Sequence, residues 1–358
     1  MRFHYDTSYR DGLQLIRYRL DWLLWGLLLA LLIAAPAFLP RFFIGEVTYL
    51  FILCLASLGL MVLTGYTGQV SLGHAAFVAI GAYAHAWLLG QGVPWIASAL
   101  GAAALSAVVG LLIGLPAIRV SGLYLAMVTL AFSIIVEQVA GRWKSVTGGH
   151  NGMPVPDLIV FGVSLGGLKP FYYLCLAVLV LVLLGLVNLM RSRTGRAFVG
   201  VRDSEAAAHA LGIHVAGTKV LAFVVSAAVT GLAGALLAHH VQFLSPEAFS
   251  MLLSLELVLM VVIGGLGSLR GAILGALLIG LLPTLISRIK PLLPEHLARQ
   301  MGLEIFMFGL VLALFVLFEP RGLNGRWLKF RAFLETFPLY RRDTFRRGKT
   351  YMKSERYR

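Results

Sequence analysis

The most polar stretch within the apolar part of the chain is the first glycine loop, residues 64–74, which carries Gln69, Ser71 and His74 between two hydrophobic runs. Polar side chains at membrane depth are costly unless they face water or protein, so they favour a position beside a transport pathway. A plain connector at the end of a membrane span is the alternative interpretation. We take the loop as a candidate solute pathway.

Other residues capable of chemistry are sparse. Glu137, Glu256 and Glu304 are the acidic residues well inside apolar runs, and a proton relay needs more such groups along one helix face. His239 and His240 fall at a span end, as interfacial histidines do. No nucleophile with a nearby base and no metal-ligand spacing is evident, so we predict neither a catalytic residue nor a metal or other cofactor.

The composition sets the class of protein. Of 358 residues, 59% are hydrophobic and only 13% are charged, which is too little polar surface to cover a water-soluble globule of this size. The apolar runs are continuous rather than alternating, which favours helices over a barrel. We predict an all-α polytopic membrane protein with about ten transmembrane helices.

Ten apolar runs approach the roughly 20 residues that a helix needs to cross about 30 Å of hydrocarbon. Two of them, 72–89 and 251–264, are short or glycine-rich, so each is open to interpretation as a re-entrant or broken helix. The predicted spans are 20–39, 47–63, 72–89, 95–115, 123–140, 171–190, 219–238, 251–264, 269–287 and 301–318.

The distribution of basic residues predicts the orientation. With the N-terminus inside, 23 of the 30 Lys and Arg residues fall on the cytoplasmic side. The prediction is a cytoplasmic tail over 1–19, a transmembrane domain over 20–320 and a basic cytoplasmic tail over 321–358. The last tail is expected to meet anionic lipid headgroups, and this explains the net charge of +14 without nucleic acid.

Two hydrophilic connections interrupt the membrane domain. The polar segment, residues 191–218, lies inside and includes an Ala-rich, charged stretch that predicts a short helix closing at Gly212. The connection 141–170 lies outside and is rich in turn residues. Each is either a docking surface or an ordinary connector.

Four stretches of the chain resemble the permease subunits of branched-chain amino-acid ABC importers, most closely the M-type permease. They are Gly65 to His74, Ser121 to Leu130, Gly195 to Ile213, and the second glycine loop, Gly264 to Ser268, and the resemblance covers about 47–322. It implies a heterodimer with a second related permease, two cytoplasmic ATP-binding subunits, a periplasmic solute-binding protein and a place in the bacterial inner membrane.

The resemblance also implies roles for particular residues. The stretch from Arg202 to Gly212 is expected to be the coupling helix that enters a groove on an ATPase, although Glu205 to Gly212 is one residue longer than the usual motif and the usual downstream Ile-x-Leu-Pro is missing. The residues expected to couple to the ATPase are Arg196, Arg202, Asp203, Glu205, Ala207 and Gly212.

The resemblance further implies alternating access, with no chemistry performed by this chain. The residues expected along the solute pathway are Gly65, Gln69, Ser71, Gly73, His74, Tyr124 and Thr129. Branched-chain amino acids are the expected solutes; urea, short amides and aromatic acids are the alternatives within the family. An ion-coupled secondary transporter is the alternative from another class, and the sparse intramembrane acids argue against it.

Overall fold

The computed structural model describes residues 19–160, 163–290 and 322–336, together with 306, 309, 310, 313, 314 and 317. The fold is helical, as predicted. The helices are α1 (Arg19–Phe38), α2 (Arg41–Leu60), α3 (His74–Gly90), α4 (Trp95–Gly114), α5 (Leu123–Arg142), α6 (Lys144–Thr147), α7 (Leu168–Arg191), α8 (Arg193–Asp203), α9 (Glu205–Ala210), α10 (Val215–Val241), α11 (Met251–Gly264), α12 (Leu269–Ile289) and α13 (Gly322–Thr336).

Seven helical stretches in the described part of the chain are long and apolar enough to cross a membrane: Arg41–Tyr66, Trp95–Gly114, Leu123–Arg142, Leu168–Arg191, Val215–Val241, Pro246–Gly264 and Leu269–Arg288. Two shorter apolar helices, Trp25–Phe38 and His74–Gly90, match two more predicted spans. The tenth predicted span, 301–318, and Glu304 lie largely or wholly outside the described residues. A count of ten therefore stays a prediction, as do the cytoplasmic termini.

The two runs singled out as weak each form one continuous helix that borders an irregular or 3-10 stretch. The first, 72–89, becomes helical only at His74, after an irregular stretch. The second, 251–264, is a helix of 14 residues that follows a 3-10 turn over Pro246–Phe249 and stops at Gly264. Irregular backbone at membrane depth is tolerated where protein or a cavity surrounds it, so both ends are candidate functional positions.

The core forms around α2 and α10. α2 is buried continuously from Leu50 to Leu60, and α10 packs most extensively against α4, α3 and α2. Glycines allow the close approach: a Cβ on Gly81 of α3 would overlap the carbonyl of Gly231 on α10, and one on Gly234 would overlap the carbonyl of Val78. Small residues serve this purpose in lipid, where no hydrophobic gain drives helix association.

The peripheral helices are joined to this core by polar and aromatic contacts. Tyr172 and Tyr173 of α7 donate hydrogen bonds to the carbonyls of Leu32 and Ile33 in α1, at 2.8 and 3.0 Å. These bonds join two helices that are far apart in sequence.

The connection 141–170 is structured rather than a loose turn. Its strand β1 (Met153–Pro154) pairs antiparallel with β4 (Phe243–Leu244) beyond α10, and β2 (Ile159–Val160) pairs with β3 (Val163–Ser164). Thr147 is buried and donates to the carbonyls of Ala140 and Trp143 at 2.6 and 2.7 Å. The connection therefore has a fixed shape at the end of the helix bundle.

Candidate functional site

The first glycine loop begins where α2 changes its winding. Residues Met61–Tyr66 continue α2 as a π-helix, and the backbone then runs irregularly from Thr67 to Gly73. π-helical turns are rare and occur often at functional sites. Gly68 has φ +70°, in the left-handed region that glycine adopts without strain. The loop is a local break that the glycines make possible.

A buried chain of hydrogen bonds links this loop to α10. Ser71 Oγ and His74 Nδ1 lie 2.8 Å apart, and His74 Nε2 lies 2.7 Å from Ser226 Oγ. Ser226 then donates to the carbonyl of Gly59 at 2.6 Å. His74 and Ser226 are fully buried. The predicted polar cluster at Ser71 and His74 is thus held by a residue 152 positions later in the chain.

Two further helices meet the start of α3. The backbone N–H of Leu72 donates to Thr129 Oγ1 of α5 at 3.0 Å, and that of Ala75 donates to Ser254 Oγ of α11 at 2.9 Å. Gly73 has no room for a side chain, because a Cβ there would overlap the carbonyl of Thr129. The start of α3 is consequently a junction of α3, α5, α10 and α11.

Gln69 is the unsatisfied member of the loop. Its side chain is buried, the residue being 5% exposed, and both its amide nitrogen and its amide oxygen lack a hydrogen-bond partner. Its backbone is well held, since the N–H donates to Leu63 and the carbonyl accepts from Thr64 Oγ1, each at 3.2 Å. Buried polar groups are nearly always paired with protein or ordered water, so the Gln69 amide is a group that water, an ion or a ligand could satisfy.

Tyr124 does not join this cluster. It lies in the first turn of α5 and is 71% exposed, whereas Thr129 is buried against the first glycine loop. Five residues of α-helix correspond to a rotation of roughly 500°, which leaves the two side chains about 140° apart around the axis. The grouping of Tyr124 with the other predicted pathway residues is therefore not supported by the geometry.

The polar segment forms two short helices rather than one. Ser192 caps α8 by accepting from the N–H of Gly195 at 3.4 Å, and Ser204 caps α9 by accepting from that of Ala207 at 3.2 Å. α9 closes at Gly212, which has φ +80° as the sequence predicts. The bonds from Gly212 to His209 and from Ile213 to Ala208 form the expected helix-ending motif.

The predicted coupling residues are all exposed, but they differ in their contacts. Asp203, Glu205, Ala207 and Gly212 lie on the exposed side of the segment. Arg202 instead reaches the membrane domain, where its Nη1 donates to the carbonyl of Gly65 at 3.1 Å. Arg196 stays within the segment, since its Nη1 donates to the carbonyl of Arg191 at 2.9 Å.

A second contact holds the segment to α10. Lys219 Nζ lies 2.7 Å from Glu205 Oε1, and the lysine side chain is only 5% exposed. Leu211, at the tip of α9, is 81% exposed. Sequence reasoning missed both residues; a lysine at the start of a predicted span and a leucine beside the closing glycine were the available signals.

Another buried polar cluster lies toward the opposite end of α3. His85 Nε2 and His239 Nε2 are 2.9 Å apart, Trp95 Nε1 donates to His239 Nε2 at 3.0 Å, and Ser98 Oγ lies 2.9 Å from His85 Nδ1. His239 was expected at an interface, and it is satisfied by these partners. His240 stacks separately on Tyr49, with ring centroids 5.4 Å apart.

The fold and its site define a class. Helices long and apolar enough to span a membrane surround the junction at the start of α3, and the polar segment is fixed to the loop before it. In the described residues, no group of three or more His, Cys, Asp or Glu could hold a metal ion. These features are those of a multi-pass transport protein.

Comparisons with known proteins give the family. Residues 43–317 match the family model described as "Branched-chain amino acid transport system / permease component". The chain is 34% identical to the permease LivM of Escherichia coli over 324 residues, which cover 83% of this chain and 73% of LivM. It is 27% identical to a probable LivH permease of Methanocaldococcus jannaschii, over 82% of this chain and 95% of that protein.

The chain is also similar to a permease named for another solute, the autoinducer 2 import system permease LsrC of an Enterobacter strain. The two are 30% identical over 63% of this chain and 57% of LsrC. No solved structure shows a significant match. The chain belongs to the family of branched-chain amino acid transport system permeases. It is a multi-pass inner-membrane permease.

Proposed function

We propose that this chain is a membrane-spanning subunit of an ATP-driven importer for branched-chain amino acids. Hydrolysis of ATP resides on two cytoplasmic partner subunits, a second related permease completes the pore, and an external binding protein delivers the solute. The observation that carries the proposal is the polar segment, which is fixed to the membrane domain and exposes a short capped helix to a partner.

The exposed end of that helix fits a groove on an ATPase subunit. Leu211 is 81% exposed, and the exposed residues around it, 202–207, 209, 210 and 212, are charged, polar or small. A large exposed apolar side chain with polar residues near it suits an interface in which a partner covers the apolar group and excludes water. Lipid is an unsuitable cover for this surface, because its charged groups Asp203 and Glu205 would lose their hydration.

The first glycine loop is the proposed part of the solute pathway in this chain. Four helices meet there, Gln69 has an unpaired amide, and the backbone is irregular. Alternating access requires an element with two arrangements, and a π-helix followed by a glycine-containing loop is such an element. ATP binding on the partners would then favour one arrangement over the other.

The external connection 141–170 is the proposed docking site of the binding protein. Its exposed residues include Arg142, Trp143 and Lys144, and the buried Thr147 hydroxyl holds the carbonyl of Trp143 at 2.7 Å. An aromatic side chain between two cations suits a partner with acidic side chains.

Related small solutes are the second candidate class. The similarity to LsrC, a permease of an autoinducer 2 import system, supports a solute other than a branched-chain amino acid. Uptake measured with leucine and with competing polar solutes separates the two candidates.

The test is ATP-dependent uptake of radiolabelled leucine by the complete complex in proteoliposomes, with Leu211 substituted. Leu211→Asp should reduce ATPase co-purification and uptake by roughly 30-fold, the loss typical of an interface anchor worth about 2 kcal/mol. Leu211→Met, the matched control, should retain both. Uptake at the wild-type rate by Leu211→Asp would contradict the docking surface, and absence of ATP-dependent uptake in the wild type would contradict the function.

A further inference from the structure

The two glycine loops meet each other. The second glycine loop joins α11 to α12, with φ +107° at Gly265 and +79° at Gly267. A Cβ placed on Gly65 of the first loop would lie 2.9 Å from the backbone nitrogen of Gly267. Because this distance is shorter than real Cβ contacts, the two backbones touch at a point where only glycine fits. The end of the π-helix that continues α2 therefore lies beside the loop that follows α11.

Arg202 of the polar segment occupies this meeting point. Its Nη1 donates to the carbonyl of Gly65 at 3.1 Å, and a Cβ on Gly267 would lie 2.6 Å from the same nitrogen. A Cβ on Gly68 would lie 3.1 Å from Arg202 Cγ. One side chain thus contacts both glycine loops, which lie about 200 residues apart in sequence.

The direction of the guanidinium is set by its neighbour in the chain. Arg202 Nε and Nη2 both donate to Asp203 Oδ1, each at 3.0 Å. With those two donors engaged, Nη1 is left pointing toward Gly65. The side chain of Arg202 is 34% exposed, so water screens its charge. The geometry of its hydrogen bonds therefore contributes more to the contact than its charge does.

We propose that Arg202 is the positioning residue through which the polar segment sets the arrangement of the two glycine loops. This inference rests on the proposed function, because it assigns the route by which movement of the ATPase subunits reaches the pathway. The first glycine loop carries both the Arg202 contact at Gly65 and the buried His74 network. A shift of the segment therefore moves the start of α3 through a contiguous chain of contacts.

The contact itself is tested by hydrogen–deuterium exchange on the purified chain in lipid nanodiscs. Arg202→Ala should raise amide exchange in residues 65–73 and 264–268 by about fivefold, the factor expected for one lost hydrogen bond. Arg196→Ala is the matched control. Arg196 lies in the same helix, α8, and its side chain donates to the carbonyl of Arg191 within the polar segment. Unchanged exchange in both loops of Arg202→Ala would overturn the proposal.

The coupling is tested in proteoliposomes by the ratio of solute taken up to ATP hydrolysed. Arg202→Ala should lower this ratio by tenfold or more, on the order of a 1.4 kcal/mol effect. Arg202→Lys should restore little of it, because an ammonium lacks the planar fork that Asp203 orients toward Gly65. If uptake and hydrolysis fall together with the ratio unchanged, or if Lys restores the ratio in full, the guanidinium geometry does not set the coupling and the proposal is wrong.

The two arms separate this inference from the function on which it rests. A wild-type chain that shows no ATP-dependent uptake contradicts the proposed importer. The exchange measurement needs no partner subunit, so it still decides whether Arg202 orders the two glycine loops.

Discussion

Glu205→Gln should destabilise the chain more than Lys219→Met, although both substitutions remove the same ion pair. Lys219 Nζ lies 2.7 Å from Glu205 Oε1, and the side chains are 5% and 51% exposed respectively. Removing the carboxylate leaves a buried ammonium without its counter-charge. Removing the ammonium leaves a carboxylate that water can solvate, and the energetic costs therefore differ.

The magnitudes follow from the exposures. Breaking a fully buried pair costs about 3–5 kcal/mol, and a surface pair contributes about 0–1 kcal/mol. Since one partner here is half in water, we expect about 2 kcal/mol for Glu205→Gln. Lys219→Met keeps most of the apolar stem and should cost about 1 kcal/mol or less. The double variant should resemble Lys219→Met, because it leaves no uncompensated charge.

The assay is the free energy of unfolding of the purified chain in mixed micelles, measured by detergent titration without partner subunits. Glu247→Gln is the control, because Glu247 is exposed and should leave the stability unchanged. A Lys219→Met variant that loses as much stability as Glu205→Gln, or more, would refute the argument from burial.

Three other predictions concern topology and glycines. Impermeant maleimides should label Ser204→Cys and Asn151→Cys from opposite sides of the membrane; labelling of both from outside would overturn the orientation. Gly81→Ala should cost about 1–3 kcal/mol of unfolding free energy by overpacking α3 on α10, whereas Gly185→Ala, with nothing within 4 Å, should be neutral. Gly212→Val should weaken ATPase co-purification while the chain still inserts, because φ of +80° strains a β-branched residue by about 1–2 kcal/mol; equal co-purification would contradict this.

The residue types around Gly212 were enough to predict where α9 ends. A glycine after an Ala-rich helical stretch indicates a left-handed closing residue, and Gly212 adopts that conformation. The division into α8 and α9 was not predicted. Ser204, which caps the second helix, lies inside a stretch whose composition suits one continuous helix.

The partners of the first glycine loop were beyond prediction from one sequence. Ser71 and His74 stood out because polar residues are rare in this chain, but nothing local identifies Ser226 or Ser254 as the residues that meet the start of α3. Both are ordinary serines within apolar helices. Their roles depend on which helices pack together, and that is set by the whole set of nonlocal contacts.

Helical periodicity could have separated Tyr124 from Thr129. The two residues share a motif in sequence, yet a spacing of five places them on different sides of α5, one exposed and one buried. The membrane spans were easier, because long apolar runs predict helices without any tertiary information. The run 72–89 was ambiguous in sequence because it is short and glycine-rich. Its helix begins only at His74, after the irregular backbone of the first glycine loop.

The central claim is that the polar segment holds this permease to cytoplasmic ATPase subunits. The most direct test is to tag the chain, solubilise it gently from its native membrane and identify the co-purifying proteins by mass spectrometry. We predict a second related permease and two copies of ATP-binding subunits. A chain that purifies alone under conditions that keep it folded would contradict the importer and favour an ion-coupled transporter instead.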